Sequence, residues 1–142
     1  MSRVLKAWKY REYPCLVMHN DMGSLCGYVM LPCGHELSGE HYDDINALGI
    51  AVHGGLTFAR MVNTIDFGDI SVVTVAGANE NYYMIGFDCA HVGDAPSPMY
   101  MSEDDPLRFL PSCLVGGHIW TVDEVSAETE SLVDQLCSFD AS

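Results

Sequence analysis

Residues 14–31 read PCLVMHNDMGSLCGYVML, two apolar runs on either side of a polar turn. Residues 14–19 have the composition of a short strand. Residues 20–23, Asn-Asp-Met-Gly, carry turn chemistry, because Asn and Asp bond their own backbone and Gly supplies a left-handed dihedral. Residues 25–31 then form the antiparallel return, closed by Pro32, which cannot donate to a ladder. An antiparallel hairpin is therefore the seed of the fold.

Residues 38–48 hold a short helical turn. Residues 50–53 and 56–58 flank Gly54-Gly55, which reads as a strand with a bulge or a sharp bend. Residues 70–75, ISVVTV, are β-branched and strand-like, residues 76–81 are a turn, and residues 82–89 are the return strand. Residues 93–111 carry four prolines and read as a long surface loop. The C-terminal element is a helix. Thr121 and Glu124 form a capping box, and Val122, Val125, Leu132, Val133 and Leu136 fall on one face at helical spacing. The expected fold is α+β: an antiparallel sheet of about five or six strands with a C-terminal helix packed on one face, in a single domain spanning residues 1–142.

Composition agrees with a packed domain. The chain has 142 residues, 49% of them apolar and 18% charged, and a domain of this size buries about two-thirds of its unfolded surface. Six basic residues face twenty acidic ones, for a net charge of −14. That excludes a general nucleic-acid binder, whose phosphate affinity needs clustered Lys and Arg. The balance is uneven: Arg3, Lys6, Lys9 and Arg11 precede a long acidic remainder. No apolar run approaches the ~20 residues of a membrane-spanning helix, and the N-terminus lacks the apolar stretch of a secretory signal. A cytoplasmic location is expected, with the cysteines as thiols.

Three segments bring polar residues to strand ends: residues 33–44, His53-Gly54-Gly55-Leu56-Thr57, and residues 86–94. They are expected to meet in one pocket. His53 and His91 are candidate acid–base groups, with Asp88 and Asp94 to orient them. Gly54, Gly55 and Thr57 would hold a ligand through backbone amides and a hydroxyl. Cys33-Gly34-His35 and Cys89-Ala90-His91 could together offer a Cys₂His₂ zinc site, or His53 and His91 with Asp88 or Asp94 a catalytic one. Neither spacing is diagnostic, so a zinc cofactor stays open beside a metal-free site. Cys89 is a weaker candidate nucleophile, and Trp8 and Trp120 read as buried rings.

The strings GYVMLPCGHELSGEHYDDI, VHGGLTF and GFDCAHVGD, in that order, make the chain similar to a family of small uncharacterised bacteriophage and prophage proteins. The likeness covers roughly residues 25–136, and VHGGLT and GFDCAH are its most specific pieces. The matching positions are His35, Tyr42, Asp43, His53, Thr57, Asp88, His91 and Asp94. Of these, His35, Tyr42 and Asp43 join the ligand-binding candidates. The Cys33 position is not usually cysteine in that family, which counts against the paired zinc site. The resemblance implies an accessory protein made inside a bacterial host.

The expected function is to counter a host defence, with a His/Asp-lined pocket that binds or hydrolyses a small nucleotide-like signal. The alternative is an acidic protein-binding inhibitor that presents carboxylates where a host immune complex expects phosphates. A virion component is the third reading. The expected partners are thus a small nucleotide-like ligand or a host defence protein, without direct nucleic-acid or membrane binding. A homo-oligomer is also open.

Overall fold

The computed structural model describes residues 3–91, 93–101 and 117–140. Five antiparallel strands form the main sheet: β1 (Arg3–Tyr10), β2 (Tyr13–His19), β3 (Leu25–Pro32), β4 (Phe58–Asn63) and β5 (Asn81–Asp88). Their spatial order is β1-β2-β3-β5-β4. A short parallel pair joins β6 (Asp94–Ala95) to β7 (His118–Ile119). Three α-helices, α1 (Tyr42–Ala47), α2 (Ile70–Ala76) and α3 (Val122–Asp140), and two short 3₁₀ helices, Thr64–Phe67 and Pro98–Tyr100, complete the described elements. The fold is α+β, with the C-terminal helix against the sheet.

Strand alternation sorts the core into two layers. Cys15 and Val17 of β2, Val29 and Leu31 of β3, and Tyr83, Ile85 and Phe87 of β5 are buried on the side of α3. Leu16, Met30 and Met84 point the other way and bury against Val72 and Ala76 of α2. With the central strands covered on both faces, each such side chain contributes about 1.5–3 kcal/mol relative to exposure. The helix α3 crosses β3 at Gly27, where a β-carbon would stand 2.4 Å from Thr129 Oγ1. Only glycine lets the helix come this close.

The helix begins where its sequence says it should. The Glu124 N–H donates to Thr121 Oγ1 at 3.2 Å, and the Thr121 N–H donates to Glu124 Oε1 at 3.0 Å. Its acidic side meets the basic strand β1. Lys6 Nζ donates to Ser126 at 3.2 Å, Trp8 Nε1 to Glu130 at 2.9 Å, Tyr10 Oη to Asp134 at 3.1 Å, and Arg11 pairs with Asp134 at 2.9 Å. Of these contacts, Arg11–Asp134 joins opposite charges.

Three local expectations are overturned. Residues 70–75 are helical, because the Asp69 carboxylate accepts from the Ser71 N–H at 2.8 Å and caps the first turn of α2. The strand beside β5 is instead β4, which runs over residues 58–63. Residues 50–57 form no strand: side chains bond the backbone of Ala51, His53 and Leu56, a local turn joins Gly55 to Val52, and the Thr57 N–H reaches β5 at Gly86 O. Gln135 exchanges two hydrogen bonds of 2.7 Å with Ala51, Glu128 accepts from the His53 N–H at 3.0 Å, and Asn46 brackets Leu56 at 2.9 and 3.0 Å. The loop expected over residues 93–111 falls largely outside the described residues.

Candidate functional site

Asp94 is the centre of the polar cluster. Its side chain is only 4% exposed, and it collects three kinds of donor. His53 Nε2 lies 2.7 Å from Oδ2 and 3.0 Å from Oδ1, the His91 N–H donates to Oδ2 at 3.0 Å, and Trp120 Nε1 donates to Oδ1 at 2.9 Å. Burial alone would raise its pKa. The hydrogen bonds from His53, His91 and Trp120 outweigh that and hold it below the ordinary carboxylate value. An ionised carboxylate can only accept, so His53 Nε2 carries a proton toward it, and Nδ1 is the ring nitrogen left for proton exchange with a ligand. Among the described residues none hydrogen-bonds Nδ1.

The second imidazole stands beside the first. The ring centres of His53 and His91 are 5.7 Å apart, at 75° to each other. His91 Nε2 is 3.2 Å from Asp88 Oδ1. The two atoms are not aligned for a hydrogen bond, so among the described residues this buried nitrogen has no hydrogen-bond partner. Asp88 also accepts from the Thr57 hydroxyl at 3.0 Å and from the Ala90 N–H at 3.1 Å. The Trp120 ring, 4.5 Å from His53 between centres, walls the site on the side of α3.

The glycine loop makes this approach possible. Gly54 and Gly55 both have left-handed dihedrals, φ 69° and 80°. A β-carbon on Gly54 would fall 2.2 Å from the His91 ring, so the imidazole rests on bare backbone. The loop carrying His53 is held by Asn46 of α1 and by Glu128 and Gln135 of α3, and Asp94 ties it to the segment carrying His91.

Of the sequence candidates, His53, Gly54, Thr57, Asp88, His91 and Asp94 come together. Gly55 sits in the same loop, nearest Asn46. His35, Tyr42 and Asp43 do not join them. The His35 N–H donates to Pro32 O, at the end of β3 that pairs with Tyr82, whereas Asp88 pairs with Cys26 at the other end. Six strand positions separate the two ends, about 20 Å. There His35 Nδ1 accepts from the Leu37 N–H at 3.0 Å, Tyr42 packs on the core and Asp43 is exposed.

The same register overturns the paired zinc site, because Cys33 and Cys89 lie at opposite ends of β3 and β5. Among the described residues, no three His, Cys, Asp or Glu side chains are arranged to hold a metal ion. Cys89 is 2% exposed, and burial pushes its thiol far above the ordinary value, which excludes it as a nucleophile. Sequence reading missed Asn46, Glu128 and Gln135, whose roles depend on loop geometry, and underrated Trp120, whose indole N–H needed an acceptor. No helix among the described residues is long and apolar enough to cross a membrane.

Beside the histidines, Asn20, Cys26, Tyr28, Thr57, Phe58, Phe87, Asp88 and Ala90 line a cleft of about 300 Å³, at the small end of ligand pockets. Glu124, Glu128, Glu130 and Asp134 of α3 are each hydrogen-bonded within the chain. Comparison with known proteins found no matching family model, no matching curated protein and no matching solved structure.

Proposed function

We propose that the chain is a phage accessory protein that counters a host defence inside the host cell, by binding or hydrolysing a small nucleotide-like signal at the His53–His91 site. One observation carries the chemistry: two imidazoles 5.7 Å apart, each set beside its own carboxylate. Such pairs divide acid and base roles. The resemblance to bacteriophage proteins supports the setting.

His53 Nδ1 takes a proton from a water molecule, with Asp94 stabilising the imidazolium that results. The hydroxide attacks phosphorus, the ester P–O bond breaks, and His91 gives a proton to the leaving oxygen. Solvent then restores both rings. Gly54, Gly55 and Thr57 line the approach to the reacting group.

The test is to incubate purified protein with cyclic dinucleotides and nucleotide derivatives and follow them by chromatography. At least one is expected to bind or turn over. His53→Ala and His91→Ala are each expected to lower turnover by about 10²-fold or more, in protein whose circular dichroism matches the parent. Neither binding nor turnover across the panel would contradict the proposal.

A further inference from the structure

The sheet face that carries α2 continues toward the opposite edge, with Tyr28 on central β3 and Phe58 and Arg60 on edge strand β4. Phe58 and Arg60 are two residues apart on β4 and so share a face. Tyr28 and Phe58 are half-buried, edge to face, with ring centres 5.4 Å apart, and both line the 300 Å³ cleft. The Arg60 guanidinium stands 5.8 Å from the Phe58 ring centre, at the rim of an adjoining cleft of about 420 Å³. Among the described residues, Arg60 is the one Lys or Arg beyond residue 11, and no described carboxylate is in ion-pair range of it. Asp66 lines the same adjoining cleft.

In a chain of net charge −14, an exposed arginine with no ion-pair partner among the described residues, beside an aromatic cleft, is a docking point for an anion. The order along the sheet is the histidines, then Thr57 and Asp88, then the aromatic cleft, then Arg60. We infer that Tyr28, Phe58 and Arg60 form a platform for a dinucleotide-class ligand, with a base in the cleft, one phosphoester toward the histidines and a second phosphate on Arg60. This rests on the hydrolytic reading of the same site and adds the ligand's length and its second anionic group.

The probes are the dinucleotides ApA and pApA, which differ by one terminal phosphate. Adenine suffices, because stacking on aromatic rings tolerates any base. At low salt pApA is expected to bind about tenfold more tightly than ApA. It should also shift the backbone amide resonances of residues 26–28, 57–60 and 86–88. Arg60→Gln, an exposed change, is expected to erase the difference. Equal binding of the two probes by the parent, an undiminished gap in Arg60→Gln, or shifts confined to other residues would overturn the platform. The two readings separate. Binding that depends on Arg60 without any hydrolysis upholds the platform and sinks the acid–base chemistry. Hydrolysis indifferent to Arg60 does the reverse.

Discussion

Asp94 shows how one side chain can build a site and hold a fold together. Nearly all its surface is covered, and it ties the loop before β4, the turn after β5 and the approach to α3. Asp94→Asn keeps the shape but loses the charge and presents an amide to groups that are themselves donors. It should cost about 2–3 kcal/mol, read from denaturant unfolding at neutral pH. The pH dependence has a definite sign. The folded carboxylate titrates below the ordinary value, so its contribution is present above that value and is lost as the pH falls through the lower, folded one. Stability measured below about pH 4 should therefore fall more steeply in the parent than in Asp94→Asn. Parallel acid-unfolding curves would show that Asp94 carries no such linkage.

At the scale of elements, legibility followed local chemistry. The hairpin of β2 and β3 and the capped helix α3 carry their signals in adjacent residues, and both were readable. Two elements were not. Ile70–Ala76 has every mark of a strand, with apolar residues at odd and even positions alike. What makes it helical is the Asp69 cap and the burial of Val72 and Ala76 four residues apart. The first hairpin was hidden because its two-residue turn is Arg11-Glu12. Both residues hold positive φ, 50° and 73°, without the Asn-Gly pair that usually announces such a turn. If the cap decides α2, Asp69→Ala should destabilise the protein by about 1 kcal/mol in thermal or chemical unfolding. A change within experimental error would mean that packing alone holds the helix.

For the whole molecule, the central event is the meeting of His53 and His91, which lie 38 residues apart in the chain. The sequence places polar residues at strand ends but leaves open which ends coincide. That depends on β5 lying between β3 and β4, and on helix side chains replacing a ladder along residues 50–57. The same topology sends His35, Tyr42 and Asp43 to the far end. Charge follows the pattern at one point: Arg11, in the turn after β1, pairs with Asp134 of α3 on the surface.

The most direct measurement is a long-range ¹H–¹⁵N spectrum of the imidazoles, recorded with and without pApA. The expected result is a proton on His53 Nε2, toward Asp94, and a His53 Nδ1 resonance that shifts together with His91 as the dinucleotide is added. A proton on Nδ1, or His53 and His91 resonances unmoved while pApA binds, would contradict an acid–base pair at this site.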